Sequence, residues 1–410
     1  MNLNGDNYQV EGVNLLDVAE EFGTPLYVYS AAKIEEQYDK LMTAFGSLNV
    51  KLKYAGKACS NINVLRLLCK KGAGYDAVSI NEVKLAIRAG FAASDIMFTP
   101  NMVAFDEIEE AVTLGVQINI DNIPFLHEFG KKYGYSVPLC VRINPHIVAG
   151  GNRNIQVGHV GSKFGISILQ FDQVLEAYEE HNLNIAGLHV HTGSDILDTD
   201  VFLKGAEIVF KQARNFPSLK FLDFGSGFKV AYKDGDHVTD ISELGEKLTK
   251  AVNKFCSDYG RKLEVWFEPG KFLVSESGYF ITNVNLVKES VACTFLGVDS
   301  GFNHLIRPML YGSYHNIVNV SNPHGKEKVY NVVGNICETD TFAEDRDIAE
   351  AKVGDKLVFK NAGAYGFEMG SNFNSRFKPA QVMIHKGEAK LIRQRDKFED
   401  LLNNQIEIEL

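Results

Sequence analysis

The sequence predicts an α/β protein: a closed (β/α)8 TIM barrel with a second, mainly antiparallel β-sandwich-like domain. Three observations predict it. β-rich runs recur at a step of about 22 residues through the first part of the chain. Amphipathic helical patterns fill the gaps between them. After about Gly270 the strand runs continue without helices between them.

The regular runs are KLKYA (Lys51 to Ala55), GYDAV (Gly74 to Val78), IMFTP (Ile96 to Pro100), VQINI (Val116 to Ile120) and PLCVRI (Pro138 to Ile143). IAGLHVH (Ile185 to His191), LKFLDFG (Leu219 to Gly225) and LEVWFEPG (Leu263 to Gly270) follow at wider intervals and complete a set of eight. NINVLRLLCKKG, NEVKLAIRAG and FDEIEEAVTLG carry apolar residues near i, i+3, i+4 and i+7, two of them stopping at glycine. Eight strand-then-helix units suggest a closed parallel barrel. An open doubly wound sheet is the alternative, but polar and glycine-rich clusters follow so many strands that loops ringing one mouth account for them better. The barrel is expected over 31–270. The second domain is expected over 1–30 plus 271–410, from YFITNVNLV, KVYNVV, KLVFKNAGAY and the early PLYVYS.

Composition narrows the function classes. Hydrophobic residues make up 45% and charged residues 23% of 410, the profile of a water-soluble globular chain with room for a large core. Forty-two basic against 52 acidic residues give a net charge of −10, which disfavours nucleic acid or anionic lipid as a partner. With no apolar run of about 18 residues and no basic start leading into an apolar stretch, a membrane is not expected and the cytoplasm is. The six cysteines stand singly with no CxxC pair, arguing against a disulfide framework or structural zinc and for a reducing compartment.

Polar residues cluster where strands end. Lys57 in KYAGKACSN lies just past the first barrel strand, at the face where such barrels place active sites. A lysine there means little alone, because an ordinary ammonium is a poor nucleophile at neutral pH. His189 and His191 in GLHVHTGSD share one face of a strand. They could be core histidines or metal ligands, though only Asp195 offers a third donor nearby. Alternatively, His191 stacks on an aromatic ring while Ser194 and neighbouring amides receive an anion. The Gly225, Ser226, Gly227 turn in LDFGSGFKV can bring backbone N–H groups close to a phosphate, or be a plain turn. Glu268, in WFEPGKF and braced by Pro269 and Gly270, is a carboxylate aimed at the barrel mouth that needs a partner. That partner is a pyridine nitrogen, which would stay protonated, or a barrel cation such as Arg142.

Taken together these segments resemble the fold-type III pyridoxal-phosphate-dependent decarboxylases over nearly the whole chain. The resemblance rests on YAGKACSN, GYDAVSINE, RINP (Arg142 to Pro145), SKFGI (Ser162 to Ile166), GLHVHTGS, FGSGF, EPGKF, RPMLY (Arg307 to Tyr311), VVGNICETD and GAYGFEMGSNFNSR, ten motifs in order. It implies pyridoxal 5'-phosphate held as a Schiff base by Lys57, with His191 stacked on its ring. It also implies phosphate and pyridinium contacts from Ser194, Gly225, Ser226, Gly227, Glu268, Pro269, Gly270 and Lys271, and Tyr365 reaching the cofactor.

The resemblance further implies a homodimer with shared sites, in which Cys337 from the partner subunit donates a proton and Glu338 reads the substrate's distal ammonium. Lys271, Arg307, Tyr311 and Tyr365 are implied substrate contacts, in keeping with a substrate whose two carboxylates need cationic clamps. Glu268 favours decarboxylation over racemisation, since racemases of this fold set an arginine at the ring nitrogen. Glu338 after Cys337, where ornithine enzymes carry aspartate, favours meso-2,6-diaminopimelate, with L-lysine and CO2 as products. Another basic amino acid or carboxynorspermidine is the alternative substrate. A cofactor-free regulatory homologue is the reading from a different class, and the joint presence of Lys57, His191, Glu268 and Cys337 argues against it. Three positions depart from the family pattern: Lys271 where arginine is usual, Ser226 within the glycine turn, and Asn81 before Glu82. Lysine gives a point charge in place of a bidentate fork.

Overall fold

The eight runs that beat through the sequence are eight parallel strands. They are β1 (Val50–Ala55), β2 (Gly74–Ala77), β3 (Ile96–Phe98), β4 (Gln117–Ile120), β5 (Leu139–Asn144), β6 (Ile185–Val190), β7 (Phe221–Asp223) and β8 (Glu264–Phe267). In the computed structural model, which describes residues 1–147, 158–233 and 235–410, they pair in the order β5-β6-β7-β8-β1-β2-β3-β4. The pairing of β4 with β5 closes the ring. Alternation along the strands explains the closure. The outward side chains, such as Leu52, Tyr54, Ile118 and Leu188, are buried under the helices, and the inward ones fill the barrel.

Among the described residues, seven helices of nine or more residues follow barrel strands: α1 (Ile62–Lys70), α2 (Ile80–Ala89), α3 (Phe105–Thr113), α4 (Ile123–Tyr133), α5 (Phe171–His181), α6 (Thr199–Ala213) and α7 (Ile241–Tyr259). Their starts are written in the sequence. The Ser79 side chain accepts the Glu82 N–H while the Glu82 carboxylate accepts the Val78 N–H. Asn122 and Asp240 cap α4 and α7 by accepting N–H groups of Phe125 and Glu243. Gly90 stops α2 in the left-handed conformation that glycine adopts without strain.

The barrel interior is graded along its axis. At the strand starts Met97, Cys140, Ala186, Phe221 and Trp266 form an apolar plug, with the Phe221 and Trp266 rings stacked 3.4 Å apart. Lys53 is fully buried beside it, its ammonium donating to the Asp95 carbonyl and Gln117 Oε1 and lying 4.2 Å from the Trp266 ring centroid. Burial pushes this lysine down to about 8. Two residues further along the same faces the side chains turn polar: Trp266 gives way to Glu268, Phe221 to Asp223, Cys140 to Arg142 and Met97 to Thr99. The plug closes one end, so the chemistry collects at the strand ends.

The barrel belongs to a unit of Glu35–Ala231 and His237–Leu273. The other unit comprises Met1–Ile34, Tyr232–Asp236 and Val274–Leu410. It contains a nine-stranded sheet in which Gly278–Glu289 pairs antiparallel with Leu26–Ser30, Thr294–Val298 and Lys356–Phe359. The sheet is mainly antiparallel, with two parallel pairings: Leu26–Ser30 beside Ala380–His385, and Thr294–Val298 beside Glu327–Val333. The PLYVYS run thus supplies a strand buried along its length. Among the described residues no helix is long and apolar enough to cross a membrane.

Candidate active site

Four short segments at the ends of β1, β6, β7 and β8 are stitched together by backbone hydrogen bonds. The Ala55 N–H donates to the Pro269 carbonyl, the Glu268 N–H to Gly225, and the Ile196 N–H to Gly227, at 3.2, 2.7 and 2.9 Å. Lys57 rides on the single 3-10 turn Gly56–Ala58 that follows β1, so its side chain emerges at this same end. Lys57, His191, Ser194, Gly225 to Gly227 and Glu268 to Lys271 therefore gather around one barrel mouth.

The mouth's electrostatics centre on Glu268. Its Oε2 lies 3.2 Å from Nε2 of His189, which is fully buried, and the other face of that imidazole meets the Asn119 side chain at 2.7 Å. Of the partners the sequence left open for this carboxylate, Arg142 is not in contact among the described residues; the near group is the His189 imidazole. Burial alone would raise the Glu268 acid. The charge and hydrogen bond of His189, then the charges of Arg142 and Lys57, outweigh it and hold the carboxyl well below its usual range.

Two neighbouring carboxyls go the opposite way. Asp76, 1% exposed on β2, is pushed up to about 7 by burial and by the nearby Glu268 charge. Asp223, 0% exposed on β7, is raised well above its usual value by the same two causes, although its Oδ1 accepts the Gly225 N–H at 2.8 Å. Three acids buried close together do not ionise at the same pH, and the one beside His189 holds its charge lowest. Burial, followed by the charges of Arg142 and Lys57, holds the His191 imidazolium down to about 3, so this ring is neutral at physiological pH.

The sequence singled out Glu268 and His191, whereas the parts of Asp76, Asp223 and Asn119 went unread. A trace was available: each is a polar residue inside an otherwise apolar strand run, and burial obliges such a group to find a partner. His189, one of the two histidines left between core and ligand roles, is the group that fixes the Glu268 charge.

The Gly225 to Gly227 turn is a cradle that side chains would fill. Gly225 and Gly227 have φ of +60° and +110°. A Cβ on the first would sit 2.6 Å from His191 Nδ1, and one on the second 2.3 Å from the Gly193 carbonyl oxygen. The Ser226 N–H reaches His191 Nδ1 at 3.4 Å, setting the turn against the imidazole. Lys271 forms an ion pair with Asp195 on the loop after β6.

In the other unit the remaining candidates fall into two groups. The Arg307 guanidinium lies 5.6 Å from the Tyr311 ring and 5.7 Å from the Tyr365 ring, and its Nε has no hydrogen-bond partner. Tyr365 holds a positive φ of 56°, uncommon for an aromatic residue and of the kind that surrounding structure must enforce. Cys337 and Glu338 are exposed on a turn built around buried Asp340, whose carboxylate accepts the Phe302 N–H at 2.6 Å and the Ile336 N–H at 2.9 Å. The Asn374 side-chain amide approaches Cys337 Sγ at 3.1 Å.

A barrel mouth with an emergent lysine, a neutral histidine beside a glycine cradle and one buried, ionised carboxylate is the site of a pyridoxal-phosphate enzyme. Residues 31–275, more than half of the chain, match the family described as pyridoxal-dependent decarboxylase, pyridoxal binding domain, and the chain belongs to that family. Within it the similarity is to diaminopimelate decarboxylases. That of Methanothermobacter thermautotrophicus is 37% identical over 407 residues, covering 97% of this chain and 95% of the relative. The crystal structure of the M. jannaschii enzyme in co-complex with L-lysine is 28% identical, with a TM-score of 0.91 over 99% of this chain and 98% of that one. The Helicobacter pylori enzyme complexed with L-lysine is 30% identical, with a TM-score of 0.88 over 95% and 98%.

The cofactor of this family is pyridoxal phosphate, and the barrel fits it. Glu268 Oε1 is buried without a hydrogen-bond partner, which is what a protonated pyridine nitrogen requires of its acceptor. The open glycine turn suits a phosphate.

Proposed function

We propose that the chain catalyses the pyridoxal-phosphate-dependent decarboxylation of meso-2,6-diaminopimelate to L-lysine and CO2. The observation that carries the reading is the buried, ionised Glu268 with one unpartnered oxygen, at the same barrel mouth as Lys57. Bound there, pyridoxal phosphate supplies an electron sink for the pair left behind when the carboxylate departs. Glu268 would hold the ring nitrogen and keep it protonated. His189 and Asn119 keep Glu268 charged and oriented, and raised Asp76 and Asp223 leave it the one full negative charge among the three acids. Neutral His191 would stack on the ring, and Ser194 with the Gly225 to Gly227 turn would hold the phosphate. Lys57 would be the amine that holds the cofactor's aldehyde.

The same reading gives Arg307, Tyr311, Tyr365 and Lys271 to the substrate. Arg307 keeps an unpartnered Nε that a carboxylate can engage. It also makes the enzyme a homodimer in which Cys337 of the partner subunit protonates the carbon that lost CO2 and Glu338 of the partner subunit takes the distal ammonium. Their exposure on a fixed turn supports presentation to another chain.

The substrate is tested by measuring CO2 and amine release from meso-2,6-diaminopimelate beside ornithine, arginine and carboxynorspermidine. Lysine formation from the first should exceed turnover of the others by at least about 100-fold, the discrimination expected when buried polar groups would otherwise go unpaired. Preference for any of the other three would overturn the assignment.

A further inference from the structure

On the outer surface of the barrel, away from the strand ends, two histidines and a glutamate converge. His127 lies in α4 and His181 ends α5, with Glu180 beside it. His127 Nδ1 and His181 Nε2 face each other at 2.9 Å, the two rings nearly perpendicular at 87°. The Glu180 carboxylate spans the pair, one oxygen 3.5 Å from His127 Nδ1 and the other 3.6 Å from His181 Nε2.

The arrangement is built rather than incidental. Gly130, one turn beyond His127 on α4, leaves the space the second imidazole occupies: a Cβ there would lie 2.5 Å from His181 Cβ and 2.6 Å from its Cγ. The His181 side chain is 9% exposed, packed against the α4 backbone and aimed at His127, whereas Glu180 at 59% is free to swing.

A single proton between the two ring nitrogens satisfies one as donor and the other as acceptor. The carboxylate oxygens then face atoms that, with both rings neutral, have only that one proton among them. A divalent cation removes the conflict, because all three groups can direct lone pairs at it. Ligand bonds of about 2.0–2.2 Å in tetrahedral geometry place donor atoms about 3.3–3.6 Å apart. The observed spacings need only a few tenths of an ångström of adjustment. Two imidazoles and a carboxylate suit zinc and its late first-row neighbours better than magnesium or calcium, and leave a coordination position open.

We propose that His127, His181 and Glu180 form a binding site for a late first-row divalent cation, zinc in the first instance, which clamps α4 to α5. The site is separate from the decarboxylase mouth.

Cobalt(II) is the spectroscopic probe and zinc the competitor, both with the intact holoenzyme. One equivalent of Co2+ per chain should give visible ligand-field bands without the intense near-ultraviolet charge-transfer band of thiolate ligation, and Zn2+ should abolish them. His127→Ala and His181→Ala should each weaken binding at least about tenfold, with Glu180→Gln weaker than the parent. Zn2+ should raise the unfolding temperature of the parent and not that of the double histidine variant. Decarboxylase activity measured without added metal should be the same in all of them. Absence of Co2+ binding in the parent, or equal binding by the double variant, would overturn the proposal.

Discussion

Replacing Asp76 with asparagine is the sharpest test of how the barrel distributes its charge. Asp76 is 1% exposed and its acid is pushed from 3.8 up to about 7, first by burial and then by Glu268. Below pH about 4 the group is protonated in both folded and unfolded chains and contributes no pH dependence. Between pH 4 and 7 the unfolded chain ionises while the folded one resists, so stability is lost as pH rises, and the loss is complete above the folded value. About three units at 1.36 kcal/mol each give a loss on the order of 4 kcal/mol. Asparagine keeps the shape and has no proton to lose. In cofactor-free protein, the Asp76→Asn variant should gain on the parent as pH rises from about 4 and level off above about 7, at a melting temperature about 5 °C higher. Differential scanning calorimetry across that range reads the divergence. Parallel profiles for the two proteins would refute the assignment of the charge to Glu268 alone.

The remaining predictions concern the mouth itself. Glu268→Gln should lower the rate of CO2 release at least about 100-fold, while circular dichroism shows a retained fold, because a neutral amide cannot hold the pyridine proton. Gly225→Ala places a side chain at φ +60° and within 2.6 Å of His191 Nδ1. It should cost about 1–2 kcal/mol in stability and weaken cofactor binding at least tenfold in a visible-absorption titration. Borohydride reduction should attach the cofactor to the peptide containing Lys57, and the Lys57→Ala protein should carry none. Mixing inactive Lys57→Ala and Cys337→Ala proteins should restore up to about a quarter of parental activity through hybrid dimers. No recovery with subunit exchange demonstrated would count against shared sites.

Periodicity alone set the architecture. A strand run every 22 residues or so, with amphipathic helices between, leaves few alternatives to a closed barrel, and each of the eight runs is a barrel strand because backbone periodicity is a local property. Placement of Lys57, Ser194, Gly225 and Glu268 at strand ends followed from the same pattern, since the end of a strand can be read from the residues that stop it. The change after Gly270 from alternating to unbroken strands was equally legible. Pairing order in the second sheet was not: the parallel pairing of Leu26–Ser30 with Ala380–His385 joins segments from opposite ends of the chain, and no local pattern encodes such a partner.

What the sequence by itself determined is the set of chemical groups and the end of the barrel at which they appear. Only the tertiary structure decided which acid keeps its charge. Asp76, Asp223 and Glu268 come from strands far apart in the chain and differ little as isolated carboxyls. Their protonation diverges because closing the barrel removes water from all three and gives just one of them an imidazole at 3.2 Å. The same holds for His127 and His181, 54 residues apart, which meet only because consecutive barrel helices pack side by side.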